Sequence, residues 1–194
     1  GDDLVSKLVN RVPEDGVALS EQDFHNYFLL LVVAGNETTR HTISHSMKAL
    51  IDHPEAFALL KERPELIPSA VEEFLRWASP VYRFRRTATR DVELHGRTIK
   101  AGDKVVVWWA SGNRDERVFP YRFDVQRDAR EHVAFGKGGP HLCMGNQLAR
   151  MEIKIMFQEI LARVDRVEQA GELVRVRINF VNGIKQFPVQ LSGR

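Results

Sequence analysis

The chain has 194 residues, of which 43% are hydrophobic and 28% charged, enough apolar material for a sizeable core in one domain or two. Its 28 Lys and Arg against 26 Asp and Glu leave a net charge of +2, which argues against a dedicated nucleic-acid binder. The single cysteine excludes an intrachain disulfide and fits a reducing, cytoplasmic compartment, and no apolar run approaches the roughly 18 residues of a membrane span.

Residues 4–12 form the first helical candidate, closed by Pro13 and Gly16. Ser20 is a suitable N-cap, and Asp23 three residues on makes a weaker capping box. No proline follows until after Ile51, so the helix runs about thirty residues, long for a globular protein. Gly35 and the Thr38-Thr39 pair mark the place for a kink. Pro54 opens the next helix, which ends near Arg63-Pro64; Pro68 opens another, running through Trp77 to Ser79-Pro80. Short strands come next. Residues 92–94 and 97–99 flank His95-Gly96, a two-residue hairpin turn. Residues 104–109 read as a buried strand, 114–131 as a polar meander and 135–140 as a glycine-rich loop. A helix over 144–164 follows, and the tail reads as one hairpin, 173–181 and 184–191, turning at Asn182-Gly183. Helices first and strands later make an α+β pattern, mostly helical.

Cys143 stands alone, and a lone cysteine is more often an inert buried side chain than a ligand. Its neighbours point the other way. Phe135, Gly136, Gly138 and Gly139 precede it, His141 lies two before it, Gly145 two after it, and a helix begins just beyond. A thiolate there meets the positive end of a helix and several backbone N–H donors, and glycines let a flat ligand approach the backbone. A phosphate loop is the rival reading, but Lys137 is followed by Gly138, so the GxxxxGK[ST] pattern is absent. Zinc lacks a second cysteine.

The stretch FGKGGPHLCMG, with NQLARMEI after it, resembles the haem-binding loop of cytochrome P-450, the family of haem-thiolate monooxygenases. Seven residues separate Phe135 from Cys143, one more than in the family's usual loop. A similar longer loop occurs in bacterial members that oxidise steroids or branched lipid chains. Two further motifs fall in the family's order. Ala34-Gly35-Asn36-Glu37-Thr38-Thr39 resembles the oxygen-activation motif. Gly35 leaves room beside the helix, and Glu37 with Thr38 forms an acid–alcohol pair that can relay protons through water; an amphipathic helix that tolerates one glycine gives the same pattern. Glu73 and Arg76 are spaced i,i+3, which alone marks only a weak surface pair. In the family that pair is buried behind the haem loop and linked to an Arg in a Pro-x-Arg-Phe segment, here Arg122 in Pro120-Tyr121-Arg122-Phe123.

The resemblance implies the remaining roles. Cys143 is the axial ligand of the iron of haem b (iron protoporphyrin IX), in a loop shaped by Phe135, Gly136 and Gly145. Arg86 and His141 match the partners of the two haem propionates, because buried propionates need charge-assisted donors. Glu37 and Thr38 are the catalytic pair. Ala34, Gly35, Val81, Tyr82, Phe180 and Val181 match positions near the substrate, although ordinary core packing would use the same residue types. Arg83 and Arg85 alternate with Tyr82 and Phe84, so a strand sends the pairs to opposite faces. Arg150 and Lys154 offer either a docking face for an acidic ferredoxin or a solvated helix surface. His41 and His45 are i,i+4 on the long helix but lack the Glu of HExxH, and are expected as exposed polar residues.

The implied activity is hydroxylation of a lipophilic C–H substrate with O2 and two electrons from a ferredoxin, itself served by a ferredoxin reductase. The resemblance covers nearly all of this chain but only the C-terminal half of the family's fold. We therefore expect residues 1–194 to be a single partial domain. The chain starts at Gly1 rather than Met and no signal peptide follows, so an internal or C-terminal piece is expected. Its exposed apolar surface would pair with another copy. The alternatives are a piece that binds haem without productive turnover, and an apo, self-associating piece.

Overall fold

The computed structural model describes residues 1–10 and 17–193, which fall into two compact units, residues 1–37 and residues from Thr38 onward. In the first unit, α1 (Leu4–Asn10) is capped by Asp3. That carboxylate accepts the Ser6 N–H at 2.8 Å and the Ser6 hydroxyl at 2.7 Å, satisfying a donor that the helix itself leaves open. The expected closure at Pro13 and Gly16 lies outside the described residues. The 32-residue α2 (Glu21–Asp52) begins at its expected cap: the Asp23 N–H donates to Ser20 Oγ at 3.1 Å, and Ser20 Oγ donates to the Asp23 carboxylate at 2.6 Å. The helix continues through Gly35 without interruption. Phe28, Leu29, Leu30, Val32 and Val33 along it are exposed.

The second unit holds the core. After α2 come α3 (Pro54–Glu62), a 3-10 turn (Pro64–Leu66) and α4 (Ile67–Ala78). Each carries a proline in its first turn, where the missing N–H forfeits no helical bond. Ser79 stops α4 in the left-handed region, with φ 41°. Its hydroxyl donates to the Arg76 carbonyl at 2.8 Å, and Pro80 cannot continue the helix. Ala70, Val71, Phe74 and Leu75 of α4 pack with Ile153, Phe157 and Leu161 of α6 (Asn146–Arg163). The rings of Phe74 and Phe157 meet at 4.6 Å, and both are fully buried; each such burial contributes about 1.5–3 kcal/mol.

Among the described residues the strands form four two-stranded antiparallel sheets. β1 (Arg83–Thr87) pairs with β4 (Lys104–Trp108), placing Arg83 opposite Trp108 and Phe84 opposite Val107. β2 (Val92–Leu94) and β3 (Arg97–Ile99) are joined by His95-Gly96, with φ of 50° and 73°, as the expected tight turn requires. A short α5 (Trp109–Gly112) follows β4, and residues 114–131 are irregular, as expected.

The tail departs from the expectation. α6 runs directly into β5 (Val164–Gln169), which pairs with β8 (Val189–Gly193). Only β6 (Val174–Arg175) and β7 (Ile184–Gln186) make the hairpin around Asn182-Gly183. The β4 residues expected to be buried are exposed except for half-buried Val105; among the described residues β4 pairs with β1 alone. No described helix is long and apolar enough to cross a membrane.

Candidate functional site

The site is built backwards from α4. Glu73 and Arg76, one turn apart, are both 0% exposed. Arg76 Nε and Nη2 donate to the two Glu73 carboxylate oxygens at 2.6 and 2.7 Å. Burying such a pair is favourable only if its remaining hydrogen-bond capacity is filled. Most of it is: Arg76 Nη1 donates to the Asn113 carbonyl at 2.7 Å, Nη2 to the Arg122 carbonyl at 3.0 Å, and the Asp124 N–H donates to Glu73 at 2.9 Å.

The third arginine of this cluster is not the expected one. The Arg122 side chain is 73% exposed and pairs with Asp124 at 2.9 Å, so Arg122 contributes only its carbonyl. The guanidinium beside Glu73 is that of Arg127, with Nε 3.6 Å from the carboxylate and the side chain 11% exposed. The irregular backbone between the two residues turns Arg122 outward and Arg127 inward, with Arg127 Nη2 donating to the Pro120 and Arg122 carbonyls at 3.0 and 3.1 Å.

Asn113 ties this cluster to the glycine loop. Fully buried, it donates through Nδ2 to Ser79 Oγ at 2.9 Å and accepts the Val133 N–H at 2.7 Å. A second anchor is Glu72, which faces α6. Its carboxylate accepts Arg150 Nε at 2.7 Å, Arg150 Nη2 at 3.0 Å and His132 Nε2 at 3.1 Å. His132 Nδ1 accepts the Ala134 N–H at 3.1 Å, which fixes the proton on Nε2. Burial would raise the Glu72 carboxyl, but the His132 and Arg150 hydrogen bonds and the Arg150 charge outweigh it and hold it at about 2. Arg150 is therefore no open docking cation: it is engaged with Glu72, and Lys154 alone of that pair is exposed.

Between these anchors lies the Cys143 loop. Gly136, Gly138 and Gly139 have φ of 75°, 69° and 74°, a conformation that side chains strain to adopt. The Cys143 N–H donates to the Phe135 carbonyl at 3.0 Å, and the Cys143 carbonyl accepts Asn146 Nδ2 at 2.6 Å. The thiol is half-buried, with exposed Leu142, Met144 and Leu148 around it in sequence. A side chain at Gly136 would sit 3.6 Å from the Trp109 ring. That ring meets Phe84 at 5.0 Å, and Phe84 meets Phe180 at 5.3 Å. A row of rings thus joins Trp109 to the segment expected near substrate. There Val81 bridges Val181, and the Tyr82 N–H donates to the Phe180 carbonyl at 2.8 Å.

Arg86 and His141 are exposed, and no described carboxylate lies within ion-pair distance of either. Gly145 precedes α6 with open space at its Cα. A half-buried thiol, an exposed arginine, an exposed histidine and exposed apolar side chains are the residue types that a flat apolar ring with a thiolate-bound metal and carboxylates would call on. On α2, Ala34, Gly35 and Glu37 are exposed in the first unit, and Thr38 is half-buried in the second. Gly35 has nothing near the position a side chain would take.

His41 and His45 are not exposed. They are 2% and 7% accessible, because the C-terminal hairpin covers them. His41 Nδ1 accepts the Ile184 N–H at 3.2 Å, and His45 Nε2 donates to the Asn182 carbonyl at 2.9 Å. Asn182 is itself a hub: its amide donates to the Ala78 carbonyl at 2.6 Å and accepts Tyr82 Oη at 2.8 Å. Of the residues that sequence reasoning missed, Glu72 carried one signal, its place beside Glu73; Asn113, Arg127, His132 and Asn146 carried none.

The family model described as Cytochrome P450 matches residues 62–170. The chain is 46% identical over 194 residues to the methyl-branched lipid omega-hydroxylase of Mycobacterium tuberculosis, a match covering 98% of this chain and 45% of that protein. It is 44% identical over 193 residues to the linalool 8-monooxygenase of Pseudomonas putida, covering 98% and 47%. A solved Mycobacterium marinum cytochrome P450, in complex with pseudoionone, superposes with a TM-score of 0.92 at 47% identity, covering 97% of this chain and 46% of that one. The chain spans about half the length of the curated relatives it matches.

Proposed function

Because the chain belongs to the cytochrome P450 family, we propose that it carries the haem-binding half of a monooxygenase that hydroxylates a C–H bond of a lipophilic molecule. Residues 1–194 are read as one partial domain of that fold. The observation that carries the proposal is Cys143, the chain's one thiol, half-exposed in a loop whose glycines adopt left-handed φ. Haem b, when bound, supplies the activation of O2 and the insertion of one oxygen atom.

The protein's part is positioning and proton handling. Cys143 would hold the iron as a thiolate. Arg86 and His141, both exposed, would donate to the propionates. Phe135, Gly136 and Gly145 would border the ring. Glu37 and Thr38, adjacent on α2, hand protons to the reaction through water. Val81, Tyr82, Phe180 and Val181 border the substrate in the second unit, and Ala34 and Gly35 are the substrate-contact residues of the first. The substrate class is a branched-chain lipid, steroid or terpenoid-like molecule, as the longer loop and the names of the relatives suggest. Electrons come from a ferredoxin and its reductase, in the cytoplasm. The chain taken alone self-associates, because Phe28, Leu29, Met144 and Met151 among others are exposed.

The test is the absorption spectrum of the purified chain with haem, reduced and exposed to carbon monoxide. A strongly red-shifted Soret band that disappears in Cys143→Ser is expected. A band at the position of neutral thiol or histidine ligation, or no haem uptake, overturns the proposal for this chain. Within a complete enzyme, Glu37→Gln and Thr38→Ala should slow product formation while keeping the red-shifted band; unchanged rates refute the relay. Solution scattering from a monodisperse monomer would refute self-association.

A further inference from the structure

Arg150 touches both main-chain supports of Cys143. Its guanidinium lies 4.7 Å over the Phe135 ring, and the Phe135 carbonyl accepts the Cys143 N–H at 3.0 Å. Its Nη1 donates to Asn146 Oδ1 at 2.9 Å, which leaves Asn146 Nδ2 to donate to the Cys143 carbonyl at 2.6 Å. The Asn146 amide can face only one way, since Arg150 offers no acceptor and a carbonyl offers no donor. Arg150 is in turn held by Glu72 through two bonds, at 2.7 and 3.0 Å. Glu72 stands on α4, beside the fully buried Glu73 and Arg76, while Asn146 and Arg150 stand on α6. The loop between them is thus clamped from a helix with which it shares no local sequence.

We propose that Glu72, Arg150 and Asn146 are positioning residues for Cys143: Glu72 aims Arg150, Arg150 orients the Asn146 amide and caps the Phe135 ring, and together they fix the Cys143 backbone and hence the direction of Sγ. This rests on the reading of Cys143 as the haem ligand for its purpose, though not for its geometry. A planar fork is needed to reach Glu72, Asn146 and the aromatic face at once, so lysine at 150 cannot substitute. Asn146→Asp is the most selective perturbation. It keeps an acceptor for Arg150 and the side-chain shape, and replaces the donor to the Cys143 carbonyl by an oxygen that repels it.

Because Cys143 is the chain's one cysteine, its reaction with a disulfide reagent in the haem-free chain reports on this loop alone. Glu72→Gln, Arg150→Lys and Asn146→Asp are compared with the parent chain and with two controls. Glu152→Gln changes an exposed charge on the same helix, and Leu60→Ala weakens the core without touching the loop. We expect the three clamp variants to react at least about five-fold faster than the parent, with Asn146→Asp doing so at little loss in Tm and Glu152→Gln unchanged. With haem added, the same variants should shift the reduced carbon monoxide spectrum toward the neutral-thiol position. Reaction rates within two-fold of the parent overturn the proposal. So does an acceleration that merely follows Tm, with Leu60→Ala as fast as the clamp variants at equal Tm loss. If the parent takes up no haem, the haem-binding reading fails while the thiol rates still decide the clamp.

Discussion

Acidification should unfold this chain in a way that can be traced to one histidine. Burial drives His45 down from 6.5 to about 4, and the nearby Arg175, His41 and Arg114 push in the same direction, against the hydrogen bond to Asn182. Above about pH 6.5 the imidazole is neutral in both folded and unfolded chains and contributes no pH dependence. Below that, the unfolded chain takes up the proton and the folded chain does not, so stability falls as pH falls. The loss continues to about pH 4 and then levels off, because the folded chain protonates too. At about 1.4 kcal/mol per pKa unit, the full loss is about 3 kcal/mol. Carboxylates titrate over part of the same range, so the measurement is a difference. Urea unfolding of the parent and of His45→Gln, whose amide can still donate to the Asn182 carbonyl, is followed from pH 7.5 down to about 4.5. The parent should lose stability relative to the variant by over 2 kcal/mol, which is roughly the part of the window covered. A difference that stays flat with pH would refute the argument that the hairpin keeps His45 neutral.

Three further outcomes follow from the packing. Arg76→Leu removes the bidentate partner of Glu73 at zero exposure and leaves it only the more distant Arg127 guanidinium, and should cost about 3–5 kcal/mol in urea unfolding; a loss under 1 kcal/mol contradicts the burial of the pair. Arg122→Ala should cost less than about 1 kcal/mol, as exposed pairs do, whereas Arg127→Ala removes the guanidinium 3.6 Å from Glu73 and should cost clearly more; equal losses would restore Arg122 to the cluster. Gly183→Ala would set a methyl 2.8 Å from Val176 Cγ2, an overpacking worth about 1–3 kcal/mol. Combining it with Val176→Ala should recover part of that loss, and a strictly additive double variant would show that the two sites do not meet.

The sequence was most legible where a signal is local. Ser20, Pro54 and Pro68 mark helix starts that the structure keeps, and His95-Gly96 turns its hairpin because both residues accept positive φ. The glycines around Cys143 were readable for the same reason. β5 was not readable, because a bulge between Val164 and Arg166 breaks the period of two that reveals a strand. The anchors of the loop were hidden by sequence distance: Glu72 meets Arg150 across 78 residues, and His45 meets Asn182 across 137. Arg122 and Arg127 show the limit most sharply. Both are arginines in the same irregular segment, and only the path of the backbone decides which one points at Glu73.

The ribbon of β1 and β4 has two unlike borders. β4 presents Lys104, three valines and Trp108, mostly exposed, with one side of its backbone unpaired among the described residues. Such a β-prone, weakly charged border can template pairing with another chain. The opposite border is β1, where Arg83, Arg85 and Arg86 stand in five residues, and basic side chains discourage further addition. Lateral growth begun at β4 in antiparallel fashion therefore ends with an arginine-rich strand on each outer side. For anyone concentrating this chain, the practical result is that a charge introduced at Val106 would improve its solubility more than one introduced on β1.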